Sequence, residues 1–140
     1  MMEVLQVRAA IYSNFGPPEV MSIKDIEKPS IKEQDRVLVR VHSASVNTMD
    51  YLYRKGYLLT RFDNGLTKPK NPVLGIDVAG TIEAVGENVR KFKVGDHVFG
   101  SCFGSHSEYV SPRVSIAKRN SHSCGVLSHY LRIMWPMNAY

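Results

Sequence analysis

The chain has 140 residues, of which 44% are hydrophobic and 22% are charged. This composition excludes collagen-like, disulfide-scaffold and disordered proteins, because there are only 10 Gly, 7 Pro and 2 Cys and apolar residues are plentiful. No apolar run approaches the roughly 20 residues that span a bilayer, and the N-terminus lacks the pattern of an export signal. Together with the low cysteine count, these features predict a cytoplasmic protein with no membrane partner.

The net charge of +5 comes almost entirely from the C-terminal end. Residues 1–108 hold 14 Lys and Arg against 13 acids, whereas residues 109–140 hold four bases and no acid. A nucleic-acid binder usually shows a basic face with aromatic residues or a recognition motif, and the sequence contains no such motif. We therefore expect no nucleic-acid partner.

Taken in chain order, the first elements are strands separated by breakers. Three segments are β-rich or alternate in polarity, namely residues 4–11, 20–26 and 37–46. A Gly-Pro-Pro breaker at residues 16–18 separates the first two. The third segment is the longest, and Val37, Val39 and Val41 fall on one of its faces.

Residues 48–55 predict a short helix. Thr48 is a capping-type residue, Asp50 is an acid in the first turn, and two bases precede Gly56, a typical C-cap. A loop rich in Lys and Pro over residues 68–72 then leads into a second β-rich block.

This second block, residues 73–100, contains glycines within strand patterns. Gly75 and Gly80 predict bends, bulges or a close approach of neighbouring backbone, and Gly95 predicts a turn that leads into a strand. Residues 107–110 and 114–117 supply two more short strands. Many short strands with glycine at their corners predict a small, partly open barrel.

Residues 119–140 differ in character from the rest of the chain. Alternation stops, and apolar residues at positions 126, 127, 130, 131 and 134 predict a short amphipathic helix that ends before Pro136.

Three motifs, in this order, resemble the medium-chain dehydrogenase/reductase superfamily. They are Asn47-Thr48-Met49-Asp50, the glycine-containing strand of residues 75–86, and the Phe-Lys-Val-Gly-Asp-His-Val-Phe-Gly stretch of residues 92–100. The branch that they resemble most is the zinc-independent quinone or enone reductases and their alcohol dehydrogenase-like relatives. The resemblance covers about residues 6–118.

The resemblance implies a mainly β fold, a GroES-like, partly open β-barrel with one or two short helices over residues 1–118, followed by the atypical tail 119–140. In the superfamily a dinucleotide-binding Rossmann domain follows this catalytic domain. No G-x-G-x-x-G motif occurs in the 140 residues. We therefore expect the Rossmann domain to be absent and the chain to be a truncated protein that is inactive alone.

The resemblance also bears on metals. Zinc members hold a catalytic ion with Cys and His at positions that are Asn47 and Ile76 here, so we expect no zinc. His97, Cys102 and His106 lie within ten residues of one another and are an alternative cluster. Their spacing fits no standard zinc pattern, and we favour separate strand and loop residues.

A zinc-free member transfers a hydride from NADPH or NADH to a quinone, an enone or another small carbonyl compound. Charge that develops on the substrate oxygen then needs hydrogen-bond donors or a proton source. The catalytic candidates are Asn47, Tyr51 and Tyr53, although relatives carry a tyrosine at the position of Leu52. The alternative roles are a turn at the end of a strand for Asn47 and simple packing for the two tyrosines.

The remaining candidates surround these three. Thr48 and Asp50 are cofactor-binding candidates, or a helix cap and an acid that complements the helix dipole. Gly75, Asp77 and Gly80 are supporting residues. The family cofactor is NADP or NAD, which we expect this chain not to bind alone.

Two alternatives remain open. The bases at positions 54, 55, 61, 68 and 70 border a phosphate or form a solvated surface, and we favour the surface. The chain could also be a non-catalytic barrel module for partner binding or for forming a homo-oligomer.

Overall fold

The computed structural model describes residues 5–113 and the backbone of residues 117–119 and 134–136. The described residues form eight strands, two α-helices and a 3₁₀ turn at Pro18–Val20. In chain order the strands and helices are β1 (Gln6–Tyr12), β2 (Met21–Glu27), β3 (Val37–Ser45), α1 (Thr48–Lys55), α2 (Leu58–Asn64), β4 (Asp77–Val85), β5 (His97–Ser101), β6 (Tyr109–Val110), β7 (Ala117–Arg119) and β8 (Met134–Pro136).

These strands make two sheets, and all the pairings between them are antiparallel. Strands β1 and β2 form a hairpin, and the second sheet has the order β6-β3-β4-β5-β7, with β8 also paired to β3. Isolated bridges from Ala9 to Ser107 and from Ile11 to Val73 join the hairpin to the rest. The two sheets do not close into a complete barrel, which confirms the predicted mainly β, partly open architecture.

The main core lies on the inner face of the larger sheet. Val37 and Val39 are fully buried and Val41 is nearly so, as the alternation in β3 predicts. The cluster consists of Val37, Val39, Val41, Val78, Ile82, Val89, Val98, Cys102 and Val110. A smaller cluster of Tyr12, Tyr53 and Leu74 joins the hairpin to α1.

Helix α1 has the predicted boundaries, whereas α2 was not predicted. Leu58, Leu59 and Phe62 of α2 are 66%, 73% and 70% exposed, so its apolar residues do not mark a buried face. Polar contacts hold it instead, because Thr60 Oγ1 donates to Leu52 O at 3.2 Å and Asn64 Nδ2 donates to Tyr12 Oη at 2.7 Å. Neither helix has the length or the apolar character needed to cross a bilayer.

The helix predicted over positions 126–134 lies outside the described residues except for its last position. That residue, Met134, belongs to strand β8. The predicted strand over residues 107–110 is confirmed as the shorter β6.

Glu108 ties the loop before β6 to β1. Its carboxylate accepts hydrogen bonds from Arg8 N at 2.9 Å and Arg8 Nη2 at 2.8 Å, and the backbone bond is the chief reason that its pKa is lowered. A carboxyl whose pKa is lowered by folding stabilises the fold above its unfolded pKa, and this contribution is lost as the pH falls through the folded value.

We therefore expect Glu108→Gln to lower the free energy of unfolding by about 0.5 kcal/mol at pH 7, a modest loss because the pair is partly exposed. The difference from the wild type should shrink as the pH falls and vanish below the lowered pKa of Glu108, where the wild-type carboxyl is protonated in both the folded and the unfolded state. Urea unfolding at pH 7 and at pH 3 measures it. A difference that stays constant between the two pH values would contradict the assignment.

Candidate functional site

The site is built around the end of β3, where the chain turns into α1. Asn47 is the N-cap of this helix: its Oδ1 accepts a hydrogen bond from Met49 N at 2.9 Å, and Asp50 Oδ2 accepts one from Asn47 N at 2.9 Å. This reciprocal arrangement is a capping box. The prediction that Thr48 caps the helix is therefore wrong, because the chain is still extended at Asn47 and Thr48 is already the first helical residue.

The carboxylate of Asp77, the first residue of β4, accepts three hydrogen bonds. Its Oδ2 accepts from Ser45 Oγ and from Asn47 Nδ2, both at 2.9 Å, and its Oδ1 accepts from Ser101 Oγ at 3.0 Å. The pairing of Asp77 with Ser101 places the start of β4 beside the end of β5. We call these four residues, Ser45, Asn47, Asp77 and Ser101, the Asp77 network.

The Asp77 network fixes the carboxamide of Asn47 from both sides. Its oxygen receives the helix amide and its nitrogen donates to Asp77, so the amide cannot flip without losing both bonds. The second hydrogen on Nδ2 has only the longer 3.5 Å contact with Ser45 Oγ. Asn47 is half-buried, so this hydrogen is the donor that the site can offer to a ligand.

Asp50 lies beneath Asn47 and is only 2% exposed. Burial raises its pKa, with a further raising effect from Asp77, while the bond from Asn47 N and the nearby His106 act in the opposite direction. Among the residues that the structure describes, its second oxygen, Oδ1, is buried and has no hydrogen-bond partner. Asp50 is thus placed to orient Asn47 from below, whereas the neighbouring Thr48 is exposed to solvent.

The two candidate tyrosines point to different surroundings. Tyr53 is 9% exposed and its hydroxyl donates to Asp63 Oδ2 at 2.7 Å. Burial, together with Asp63, raises the pKa of Tyr53 to about 12, which makes it a poor proton donor at neutral pH. Tyr51 is 47% exposed, and its oxygen accepts a hydrogen bond from Lys55 Nζ at 3.0 Å, so its phenolic hydrogen takes no part in that bond.

Gly75 and Gly80 shape the β-rich part of the site. Gly75 has φ +101°, and a Cβ there would lie 2.4 Å from Ser105 Oγ and 2.6 Å from His106 N. A Cβ at Gly80 would lie 2.1 Å from the carbonyl oxygen of Arg40 on the neighbouring strand. The predicted close approach of backbone at these glycines is confirmed.

The three residues of the alternative metal cluster lie in separate surroundings. His97 Nδ1 is 3.1 Å from Thr81 Oγ1, His106 Nε2 is 2.9 Å from Ser45 O, and Cys102 is buried in the main core. In the part of the chain that the structure describes, no three His, Cys, Asp or Glu side chains form a metal-binding group.

Cys102 is expected to be an unreactive thiol, because burial raises its pKa to about 11. In a Cys124→Ser background, a disulfide reagent at pH 8 should label native Cys102 at least about 100-fold more slowly than the urea-unfolded chain, since only the thiolate reacts. Absorbance of the released thiol measures the rate. Equal rates in the two states would contradict the burial.

The prediction that the basic residues form one solvated surface is wrong for two of them, Arg54 and Arg61. Arg54 is 8% exposed, and its guanidinium donates to Gly16 O. Arg61 Nε donates to Gly56 O at 2.7 Å, and its guanidinium lies 5.0 Å from the ring of Phe15. These two bases therefore anchor the segment before β2 against the helices.

An open pocket of about 310 Å³ lies beside Tyr53 and was not predicted. Its wall includes the edge-to-face pair of Tyr53 and Phe103, whose ring centroids are 5.2 Å apart. The lining residues are Tyr53, Asp63, Asn64, Lys70, Asn71 and Phe103. They come from four separate stretches of the sequence, so no local pattern predicts this pocket.

Comparison with known proteins identifies the family. Residues 33–136 match the alcohol dehydrogenase GroES-like domain. The quinone oxidoreductase of Lama guanicoe is 40% identical over 107 residues, covering 74% of this chain and 30% of the relative. The chloroplastic NADPH-dependent alkenal/one oxidoreductase of Arabidopsis thaliana is 32% identical over 117 residues, covering 76% of this chain and 29% of the relative.

Structural comparison agrees with this match. The quinone oxidoreductase from Coxiella burnetii superposes with a TM-score of 0.72 at 27% identity, covering 84% of this chain and 38% of that one. The chain spans about 30% of the length of the curated relatives that it matches. It belongs to the alcohol dehydrogenase GroES-like domain family, and it corresponds to the N-terminal part of the medium-chain dehydrogenase/reductase proteins that its motifs resemble.

Proposed function

We propose that this chain forms the substrate-side part of an NAD(P)H-dependent oxidoreductase that reduces quinones, enones or related carbonyl compounds without zinc. The observation that carries the proposal is the fixed carboxamide of Asn47, held by Asp77 at the position where zinc members of the family have a metal ligand. Relatives named quinone oxidoreductase and alkenal/one oxidoreductase support the substrate class.

In this proposal the Asp77 network supplies a preorganised hydrogen-bond donor. When bound, the nicotinamide cofactor supplies the hydride, and negative charge develops on the oxygen of the substrate. The remaining hydrogen on Asn47 Nδ2 stabilises that charge, and a donor already in place needs no reorganisation during the reaction. The exposed hydroxyl of Tyr51 delivers the proton that completes the reduction.

The start of helix α1 is the part of the chain that we propose to lie near the nicotinamide cofactor. The exposed hydroxyl of Thr48 suits the polar nicotinamide end. At the N-terminus of α1, Met49 N already donates to the side chain of Asn47 and the carboxylate of Asp50 accepts from Asn47 N, which disfavours a pyrophosphate at this helix end. We therefore propose that these 140 residues touch one end of the cofactor and do not hold the dinucleotide alone.

Titrating the purified chain with NADPH and with NADH tests that part. We expect neither micromolar binding by fluorescence nor turnover of duroquinone, a quinone whose ring carbons are all methylated so that thiols do not add to it. Micromolar binding together with turnover would overturn the proposal that the chain does not act alone.

The substrate site is tested by NMR titration of the ¹⁵N-labelled chain with duroquinone. We expect the side-chain amide of Asn47 to shift, and Asn47→Ser to remove the binding, because serine still caps the helix but offers no amide donor. Asn88→Ala, a change at an exposed asparagine that bonds Gln34, is the matched control. Shifts confined to the pocket of Tyr53 and Phe103 would contradict the role of Asn47.

The second candidate, a non-catalytic binding module, draws support from α2. Leu58, Leu59 and Phe62 are all at least 66% exposed, which is unusual for side chains of this size on one short helix. Sedimentation velocity of the full chain, of a chain ending at Lys118 and of a Leu59→Glu, Phe62→Glu variant tests it. A monomer in all three would argue against self-association.

A further inference from the structure

The outer face of the larger sheet carries two histidines directed at one hydroxyl group. His42 Nε2 lies 2.9 Å from Thr81 Oγ1, and His97 Nδ1 lies 3.1 Å from the same oxygen. The three residues belong to the adjacent strands β3, β4 and β5, and both histidines are exposed. None of them takes part in the Asp77 network or in the main core.

The sheet itself sets this convergence. Thr81 is paired directly with His97, and His42 lies where the β3–β4 register shifts between Val41 and Ser43, with its side chain exposed. Strand β3 pairs with β4 over nearly the whole length of both strands, and β5 pairs with β4 through all five of its residues. The Cα positions of the two histidines are therefore fixed, while their exposed rings can rotate about the side-chain bonds.

The hydrogen bonds indicate which ring nitrogens are available. Thr81 has one hydroxyl hydrogen, so it can donate to one imidazole and accept from the N–H of the other. The nitrogen that accepts the Thr81 hydroxyl hydrogen carries a lone pair, which is the form of imidazole that binds metal ions, and an ion that takes this lone pair displaces the hydroxyl. The second imidazole donates its N–H to Thr81. It also gains a lone pair directed at the site when it takes the tautomer that carries the proton on its outward ring nitrogen.

The distances suit a shared ion. The distances from His42 Nε2 and His97 Nδ1 to Thr81 Oγ1 add to 6.0 Å, so these two ring nitrogens are at most 6.0 Å apart. A metal held by two imidazoles at about 2.0–2.1 Å needs its nitrogens roughly 3 Å apart, a shift that two exposed rings reach by rotation. Of the charged residues on this face, Arg40 is paired with Thr81, and it interacts with the carboxylates of Glu83 and Glu108, which offset its charge.

We propose that His42 and His97 form a surface site for a divalent transition-metal ion that prefers imidazole nitrogen, namely Zn²⁺, Ni²⁺ or Cu²⁺. The ion replaces the hydroxyl of Thr81 as the common partner of the two rings, and water fills its other positions. Such an ion bridges β3 to β5 across β4, so its binding stabilises the folded sheet. This site does not depend on the proposed oxidoreductase function.

Calorimetric titration of the full chain with Ni²⁺ tests the proposal, with Ni²⁺ chosen because it is less attracted to thiols than Zn²⁺ is. We expect one site to be lost, or its affinity to fall about 10- to 100-fold, in His42→Ala and equally in His97→Ala. Both substitutions are at exposed positions, and circular dichroism verifies that the variants fold. The melting temperature should rise with Ni²⁺ in the wild type and not in either variant.

The control is His129→Ala, because the tail also contains histidines and Cys124. This variant should keep the site with its wild-type affinity. Unchanged binding in either His42→Ala or His97→Ala would overturn the proposal, since both imidazoles are required. Loss of the same site in His129→Ala would place the ion in the tail and would overturn it as well.

Discussion

Replacing Gly80 by alanine is expected to destabilise the domain strongly. The new Cβ would lie 2.1 Å from Arg40 O and 2.8 Å from Val39 Cγ1, both on the paired strand β3. A backbone carbonyl in the centre of a sheet cannot move aside without breaking the β3–β4 pairing. We expect a loss of about 3 kcal/mol or more, at the upper end of the range for overpacking. Urea unfolding followed by circular dichroism measures it, and the soluble yield should fall in parallel.

Gly95→Ala is the matched control for this prediction. Gly95 has φ +91°, but a Cβ there would meet no atom within 4 Å. Its replacement therefore costs only the backbone strain of a left-handed residue, about 1–2 kcal/mol. If the two substitutions cost the same, the close approach of Arg40 is not what requires glycine at position 80.

The strands and the first helix could be predicted because their signals are local. In β3 the alternation of Val37, Val39 and Val41 marks the buried face, and in α1 an acid in the first turn and Gly56 mark the two ends. Helix α2 could not be predicted in this way. Leu58, Leu59 and Phe62 do fall at the helical spacing i, i+1 and i+4, but the segment has only seven residues and these side chains face solvent, so the stripe marks no buried face.

The candidate site was predicted in part. The family motifs indicate Asn47 and Asp77, but the bond between them depends on the register that brings β4 beside the end of β3. Ser45 and Ser101 were missed for the same reason: each is an ordinary polar residue at the end of a strand until the sheet assembles. No local signal distinguishes Ser45 from Ser43, a second buried serine two residues earlier in the same strand.

The chemistry of Tyr53 also depended on an element that was not predicted. Its partner Asp63 lies on α2, and without that helix the hydroxyl of Tyr53 could only be assigned to solvent. The buried hydrogen bond between Asn64 and Tyr12 could not be predicted either, because Asn64 also lies on α2. Missing one short helix therefore also leaves the hydrogen-bond partners of residues far away in the sequence unpredicted, because side-chain hydrogen bonds are tertiary contacts.

Asp77→Ala is expected to lower the free energy of unfolding by about 2–4 kcal/mol, because a buried donor left without an acceptor costs about 1–3 kcal/mol. Ser45, which is 6% exposed, and the half-buried amide of Asn47 both lose their acceptor. Ser101 is exposed, so water replaces its bond. Urea unfolding measures the loss, and the NMR signals of the Asn47 side-chain amide should broaden as the group is released from its fixed orientation.

Two variants separate the loss of acceptors from other effects of the Asp77 substitution. Ser101→Ala removes only the exposed hydrogen bond and should cost less than about 0.5 kcal/mol. Asp77→Asn keeps the shape and one acceptor oxygen, so its cost should lie between those of Ser101→Ala and Asp77→Ala. A loss below about 0.5 kcal/mol in Asp77→Ala would mean that water satisfies Ser45 and Asn47 unaided. The orientation of Asn47 would then be set by the helix cap alone, and the Asp77 network would have no part in preorganising the site.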